Sequence, residues 1–261
     1  MPAQVPNETA DLIIDLLHDD RKALRKCCLI SESWIPRARK HLFNKVKLVP
    51  STRFKDWKNA FPDPQKSPAH HTSSLFIPCT RDAEDDAWIK SFTAVTRLEV
   101  LSCNHLEEPQ LEALHELLPA VKSLRLALNT APLSKVFNLI CSFPFLEDLD
   151  IVVGRFIDDM NKDGGIPQPP TPPLCTATRL VLQCELEGIT SQFLGLPDKP
   201  HFEEIVWKPH SPGKQLELPW VMALIEKCPE TLEWIDFFFN PDGKSHSFDS
   251  GSASDTVSCL C

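Results

Sequence analysis

Histidine and cysteine pairs are the side chains of this sequence whose spacing comes nearest to that of a metal site. His70 and His71 are adjacent, and Cys103 and His105 are two residues apart. Zinc needs four ligands, or three and a water, and neither pair has further ligands nearby. His115 begins a His-Glu pair but lacks the second histidine of a zinc protease helix. We therefore predict no metal and interpret His70-His71 as a pair of loop residues.

One acidic stretch follows half of a calcium-binding pattern. Asp159, Asn161 and Asp163 alternate and Gly164 follows, as in the first half of an EF-hand loop. The twelfth position should supply a bidentate glutamate but is Pro170, and a run of prolines replaces the helix that should follow. We therefore predict no calcium and no cofactor, and we interpret this acidic, Pro-rich insert as a mobile loop.

No set of residues has the spacing of a known catalytic group. Cys259 and Cys261 match the ending of small trafficking GTPases that is doubly prenylated, but that modification depends on a GTPase fold, and the chain lacks a Gly-rich phosphate-binding loop. We therefore predict a protein without enzymatic activity. An enzyme whose residues meet only in space stays open as an alternative.

The charge of the chain is unevenly distributed. The 261 residues carry a net charge of -9, yet twelve Lys and Arg and only two acidic residues lie between Arg21 and Lys58. The remainder, residues 59–261, has 15 basic and 29 acidic side chains. An acidic body argues against nucleic acid as the main ligand, so we interpret the basic stretch as a solvated helix face.

Composition also favours a protein that stays inside the cell. The N-terminus carries acids in place of the basic and apolar segments of a signal peptide, and no apolar run reaches the length of a membrane span. The ten cysteines are then expected as buried, reduced, small apolar residues. We predict a cytoplasmic or nuclear location and no membrane contact.

The helices that position an interaction surface come first in the chain. Residues 7–18 have two apolar faces, one made by Ala10, Ile13, Ile14 and Leu17 and one made by Leu12 and Leu16. A short helix with two apolar faces must be covered twice, once by its own domain and once by a partner. Asp19 or Asp20 caps a second helix with Ala23, Leu24, Cys27, Cys28 and Ile30 on its apolar side. A third helix begins near Trp34, which we expect in the helical core.

Residues 5–48 resemble an F-box. The resemblance rests on Pro6-x-Glu8, Asp11-Leu12-Ile13-Ile14-Asp15-x-Leu17-His18-Asp19-Asp20, Leu24-x-x-Cys27-Cys28-Leu29-Ile30-Ser31-x-Ser33-Trp34 and Ala38-Arg39-x-x-Leu42-Phe43-x-x-Val46-x-Leu48. The last segment is similar to that of the F-box-like proteins abundant in mushroom-forming (basidiomycete) fungi. The chain departs from the family at Val5, where Leu is usual, and at Thr9 and Ala10, where two aliphatic residues are usual.

The resemblance implies docking on a Skp-type adaptor of a cullin-RING ubiquitin ligase. The predicted adaptor-binding residues are Pro6, Glu8, Leu12, Ile13 and Leu16. The departures at Thr9 and Ala10 weaken this prediction. The alternative is a plain three-helix cap on the rest of the chain.

An apolar pattern then repeats along the chain. Six segments share the pattern apolar-x-x-apolar-x-apolar, and their middle residues follow one another at intervals of 25 to 31: Leu98, Leu124, Leu149, Leu180, Ile205 and Ile235. Two weaker copies precede them at Val46 and Leu75. Helical patterns lie between the segments, at residues 82–92, 109–118, 133–143 and 219–228.

The repeat resembles an irregular leucine-rich repeat, with one short strand in each copy. That family places Asn or Cys three residues after the last apolar position. Cys103, Asn129 and Asn240 agree, but Gly154, Glu185 and His210 do not. The predicted fold is therefore α/β: a small N-terminal three-helix F-box-like head followed by a leucine-rich-repeat-like strand and helix solenoid. The predicted boundaries are 1–48 for the head, 49–240 for the solenoid and 241–261 for a disordered tail.

Together these features predict a substrate-recognition subunit of an SCF-type ubiquitin ligase, whose target is an unidentified protein. The alternative is a leucine-rich-repeat protein-binding module without ligase function. The predicted target-binding residues flank the inward apolar positions: Glu99, Arg125, Asp150, Gln183, Lys208, Asp236 and Phe238. This surface mixes charged and apolar side chains, which suits a protein or peptide.

Overall fold

The computed structural model describes residues 6–49, 51–78, 85–101, 114–157, 175–184, 186–198, 200–208, 218–228, 230–238 and 256–260. The helices are α1 Asn7–Leu16, α2 Arg21–Ile30, α3 Ile35–Leu42, α4 Ser51–Ala60, α5 Asp86–Ile89, α6 Leu114–Leu117, α7 Leu133–Ser142, α8 Leu186–Leu194 and α9 Leu218–Lys227. The strands are β1 Lys45–Lys47, β2 Ser74–Pro78, β3 Arg97–Leu101, β4 Ser123–Pro132, β5 Asp148–Ile157, β6 Arg179–Gln183, β7 Glu204–Trp207, β8 Trp234–Phe238 and β9 Thr256–Leu260. Short 3₁₀ turns are Glu32–Trp34, Pro64–Lys66 and Pro68–His71.

One sheet contains all of these strands in chain order. β1 to β8 are parallel, and β9 is antiparallel to β8. The register aligns all eight predicted middle residues across the parallel strands, and every one of them is buried: Val46, Leu75, Leu98, Leu124, Leu149, Leu180, Ile205 and Ile235. The prediction of one strand for each apolar segment is therefore confirmed.

A backbone carbonyl just before each strand holds the following strand in this register. The carbonyl oxygen of Ser73 accepts hydrogen bonds from the backbone N–H groups of Thr96 and Arg97, both at 3.0 Å. Six further carbonyls each accept two consecutive N–H groups in the same way: those of Asn44, Thr96, Lys122, Glu147, Thr178 and Glu203. The arrangement satisfies buried backbone donors where each strand begins, and it recurs regardless of the side chain.

The helices after β4 pack side by side over one main core. Phe193 of α8 makes edge-on contacts with Phe137 of α7 and with Phe202, at ring-centroid distances of 5.3 and 5.4 Å. The sequence analysis missed α8, whose interior contains a glycine. A Cβ atom at Gly188 would lie 2.9 Å from Cδ2 of Leu133, so close helix packing explains a residue that otherwise weakens helices.

A second, smaller core lies among the three N-terminal helices. Its buried members are Ile14, Leu24, Cys27, Ala38 and Leu42, and Trp34 packs against them half-buried. Phe43, directly after α3, packs against this core and also against the main core. Its ring contacts Trp57 and Phe61 of the α4 region edge-on, both at 5.9 Å. The two cores therefore share one side chain.

The predicted architecture of a helical head followed by a leucine-rich-repeat-like solenoid is wrong, although the α/β class agrees with the structure. A single sheet begins at β1, inside the residues predicted to be the head. Phe43 and β1 continue without a break from α3 into the sheet and its core. The described chain is thus organised on one predominantly parallel sheet, because the apolar pattern of residues 43–48 makes the first strand instead of ending a separate unit.

The structure also bears on the predicted helices between the strands and on the predicted tail. α7 and α9 match the helical patterns of residues 133–143 and 219–228, and α5 and α6 lie within the other two patterns, whose residues 82–84 and 109–113 lie outside the described residues. Within the predicted tail, β9 is a strand where the sequence predicts no regular structure. Residues 102–113, 158–174 and 239–255 lie outside the described residues, and so do the predictions for Cys103, for the acidic insert and for Asn240.

Gly154 departs from the predicted Asn or Cys for a steric reason. β4 and β5 stay paired past the point where their neighbours end, so that Thr130 aligns with Arg155. A Cβ atom at Gly154 would lie 2.7 Å from the backbone carbonyl oxygen of Asn129. Only glycine permits this close approach of two strands without a backbone shift.

Gly154→Ala is therefore expected to destabilise the protein by about 1–3 kcal/mol, the usual cost of overpacking. Chemical denaturation measures the change in the free energy of unfolding. Gly195→Ala is the control: its nearest atom would be the Ser191 carbonyl oxygen at 3.3 Å, so a smaller loss is expected. Equal stability of Gly154→Ala and wild type would contradict the steric explanation.

Candidate functional site

The outer face of α1 carries a ridge of exposed aliphatic side chains. Leu12, Ile13 and Leu16 are 66%, 40% and 84% exposed, whereas Ala10 and Ile14 on the opposite face are buried. The helix therefore has one buried and one uncovered face as predicted, except that Ile13, which the pattern also puts on the face of Ala10 and Ile14, is exposed. We call Leu12, Ile13 and Leu16 the α1 ridge.

The other two predicted adaptor-binding residues lie at the start of the same helix. Pro6 precedes α1 and its carbonyl oxygen accepts a hydrogen bond from the N–H of Ala10 at 3.0 Å. Glu8 is exposed in the first turn, where a negative charge interacts favourably with the helix dipole. All five predicted residues thus lie on or next to α1.

The departures from the F-box pattern have different structural consequences. Ala10 is buried, so its small side chain does not thin the outer face, whereas Thr9 is exposed and replaces an aliphatic group there. Val5 lies outside the described residues. Thr9 is therefore the one departure that changes the exposed surface within the described residues.

Sequence reasoning missed two exposed side chains at the end of α2. Leu29 and Ile30 are 86% and 64% exposed. The prediction that Ile30 belongs to the buried side of α2 is wrong, because the helix ends there and Ser31 adopts an extended conformation. Of eight large apolar side chains exposed in the described part of the chain, five are on α1 and α2.

An ion-pair cluster fixes α1 against α3. The Asp15 carboxylate accepts hydrogen bonds from Arg37, whose Nε lies 2.6 Å from Oδ1 and whose second nitrogen contacts Oδ2, and it contacts Nε2 of His41 at 2.7 Å. The Arg37 hydrogen bond, followed by that of His41, holds the pKa of Asp15 far below its usual range. Because Asp15 is partly exposed, water and salt screen the pair.

The predicted target-binding residues lie along the face of the sheet opposite the buried row. Glu99, Arg125 and Asp150 are neighbours in register on β3, β4 and β5. Asp236 occupies the equivalent position on β8. The remaining residues follow further along the strands: Gln183 ends β6, Lys208 follows β7 and Phe238 ends β8. Strand alternation therefore brings Glu99, Arg125, Asp150, Gln183, Lys208 and Asp236 to one face.

Three of these side chains form a cluster in which one arginine is shared by two carboxylates. Arg125 lies between Glu99 and Asp150, with nitrogen–oxygen distances of 3.7 and 3.3 Å. Burial raises the pKa of Asp150, while Arg125, Lys208 and Arg179 act to lower it. Oδ1 of Asp150 and Nε of Arg125 are buried without a hydrogen-bond partner in the described structure. The centre of this face is consequently a row of alternating charges on β3, β4 and β5, in which two buried polar atoms have no hydrogen-bond partner in the described structure.

The same face becomes apolar toward β6 and β7. Val181 and Val206 stand between Asp150 and Asp236 in the register, and both are buried. The described face therefore carries charged side chains on β3, β4 and β5, and buried valines on β6 and β7.

The described residues contain no group of three or more His, Cys, Asp or Glu side chains that could hold a metal ion. His70 and His71 lie in a 3₁₀ turn with ring centroids 3.9 Å apart, and burial lowers the pKa of His71. Five described cysteines form no disulfide and are buried or half-buried: Cys27, Cys28, Cys141, Cys175 and Cys228. Burial raises the pKa of Cys141 to about 12 and that of Cys175 to about 11, which keeps both thiols protonated.

Comparison with protein-family models, with curated proteins and with solved structures finds no match for this chain. Among the helices that the structure describes, none has the length and apolar character needed to cross a bilayer.

Asp15→Asn is expected to reduce stability at neutral pH, because it removes the charge that Arg37 and His41 contact. The folded-state pKa of Asp15 is lowered, so its contribution is present above the unfolded pKa near 3.9 and disappears as the pH falls toward the folded value. The stability difference between wild type and variant should therefore be constant from about pH 7 to 5 and shrink below about pH 4.

Denaturant unfolding at several pH values measures this difference. Asp19→Asn is a suitable control, because the Asp19 side chain is almost fully exposed and pairs only with the neighbouring His18 among the described residues. A difference between wild type and Asp15→Asn that stays unchanged down to pH 3 would show that the charge of Asp15 is not what stabilises the helices.

Proposed function

We propose that this protein is the substrate-recognition subunit of an SCF-type cullin-RING ubiquitin ligase, acting in the cytoplasm or nucleus. The α1 ridge binds a Skp-type adaptor, and the sheet face with Glu99, Arg125 and Asp150 contributes to binding a target protein. The observation that carries the proposal is the exposed ridge on the helix whose sequence resembles an F-box. Catalysis then belongs to other subunits of the ligase.

Burial of the ridge by a partner is energetically favourable. Covering a large aliphatic side chain contributes roughly 1.5–3 kcal/mol at full burial. A partner that buries Leu12 and Leu16 would gain most of this free energy, because both side chains are mostly exposed in the chain alone. A helix face of this kind suits a protein groove that accepts side chains one turn apart.

The connection between the two proposed surfaces also supports a receptor function. Asp15 and Arg37 hold α1 to α3, and Phe43 joins the helical core to the main core. Both surfaces therefore belong to one packed body, so that an adaptor on α1 and a target on the sheet would have a defined relative orientation. Ubiquitin transfer by a multi-subunit ligase requires such an arrangement.

A protein-binding module without ligase function is the second candidate. The exposed Thr9 favours it, because a polar side chain stands where the family has an aliphatic one. In that case the α1 ridge would bind another partner, and the sheet face would keep its role. Adaptor binding distinguishes the two candidates.

Co-purification of the intact chain with a Skp-type adaptor tests the proposal. We expect a stoichiometric complex at micromolar concentration, and we expect Leu12→Asp/Leu16→Asp to abolish it, because two carboxylates would then be buried in an apolar contact. The matched control is Leu218→Asp/Met222→Asp, which also changes two exposed apolar residues one turn apart, on α9.

The outcomes separate the candidates. Complex formation by wild type and by the α9 variant, but not by the α1 variant, supports the receptor. A wild-type chain that remains monomeric with folded adaptor at micromolar concentration would sink the ligase proposal and leave the binding module. Adding cullin and RING subunits with ubiquitin then tests for modification of the chain, which the α1 variant should prevent.

A further inference from the structure

A basic cleft lies where the N-terminal helices meet the first strand. Its volume is about 570 Å³, within the usual range for small-molecule sites. Arg21 and Arg25 of α2, Lys45 and Lys47 of β1, and Arg53 of α4 line it, and the one acidic side chain in its lining is Asp56. These cations all belong to the basic stretch of the sequence, and the fold brings Arg21 and Arg53, which are 32 positions apart, to one cleft.

The five cations that line the cleft have no acidic partner in the described structure, in contrast to several other cations of the protein. In the described part of the chain, Arg21, Arg25 and Arg53 form no ion pair, and Asp56 lies within ion-pair distance of none of them. The ammonium groups of Lys45 and Lys47 each lie 4.9 Å from the ring centre of Phe76, without a carboxylate. By contrast, Arg37, Lys58, Lys122, Arg125 and Arg179 all face acidic partners.

Aromatic side chains form the inner wall of the cleft. Phe43 and Phe61 are half-buried there, and both rings contact Trp57, whose ring centroid lies 4.8 Å from that of Phe61. The indole Nε1 of Trp57 is buried and has no hydrogen-bond partner in the described structure. The cleft thus combines positive side chains that have no ion pair in the described structure with an apolar, aromatic wall.

We propose that this cleft binds a small polyphosphate ester that also carries a planar ring, which is the chemistry of a nucleoside polyphosphate. Arginines from two helices can each donate two parallel hydrogen bonds to phosphate oxygens, and the lysines add charge without fixed geometry. The aromatic wall contacts the ring. This function is independent of the α1 ridge, because residues of α2, β1 and α4 line the cleft and no residue of α1 does.

The dimensions and the charge distribution favour a small ligand over nucleic acid. Five basic side chains line this one concave site, whereas the chain as a whole carries a net charge of -9. Nucleic-acid binding needs a basic stripe that follows many phosphates. A compact ligand with several phosphates instead places all its charge within the cleft.

Titration calorimetry of the intact chain with ATP, inorganic tripolyphosphate and adenosine tests the proposal. We expect ATP to bind most tightly, tripolyphosphate more weakly, and adenosine not measurably at millimolar concentration. Arg25→Glu/Arg53→Glu should weaken ATP binding by at least about tenfold, because it removes charge-assisted hydrogen bonds from both helices.

The matched control is Lys26→Glu/Lys55→Glu. Both lysines are exposed on the same two helices, carry the same charge and do not line the cleft. The control changes the net charge by the same amount, so it should change ATP affinity by less than about threefold. Circular dichroism and thermal unfolding verify that both variants are folded.

Three results would overturn the proposal. The first is the absence of binding by ATP and tripolyphosphate at millimolar concentration. The second is an equal loss of affinity in the two double variants, which would indicate a diffuse electrostatic effect. The third is binding of single-stranded oligonucleotides that strengthens with length and exceeds that of ATP, which would indicate a nucleic-acid surface. Equal affinity for tripolyphosphate and ATP would overturn the role of the aromatic wall.

Discussion

The carbonyl group that precedes each strand is the constraint on which the rest of the structure depends. Seven such carbonyls each accept two consecutive N–H groups from the start of the next strand. They set every parallel pair to the same register, so that one apolar residue of each strand meets its equivalent in the next. A slip of one residue would turn each of these side chains to the opposite face. The main core therefore follows from backbone geometry repeated along the chain.

The same geometry determines where the helical N-terminus can lie. Asn44 supplies the first of these carbonyls and stands between Phe43 and β1. Phe43 is consequently held at the start of the sheet, where its ring reaches Trp57 and Phe61 and its other side packs on the helical core. The α1 ridge, the basic cleft and the sheet face are thus parts of one body instead of separate modules.

Charge is distributed differently over these three surfaces, and this difference suggests different partners. On the sheet face, Arg125 is shared by Glu99 and Asp150, so little net charge is presented. The α1 ridge is aliphatic and has the ion pair of Asp15 beneath it. In the cleft, positive side chains face one another without acidic partners in the described structure. The partners proposed for these three surfaces are, in the same order, a protein target, the groove of a protein adaptor and a phosphorylated small molecule.

The sequence by itself determined the strands and the two-faced first helix, because both depend on local spacing. Alternating apolar residues predicted the buried position of each strand from Val46 to Ile235, and Leu12 and Leu16 fell on the second face of α1. Helix α8 escaped prediction because Gly188 obscures its pattern while serving close packing against Leu133. Only the tertiary structure decided that the strands form one predominantly parallel sheet, that Ile30 is exposed, and that Arg21 and Arg53 share a cleft. These features depend on contacts between residues distant in the chain, which no local pattern encodes.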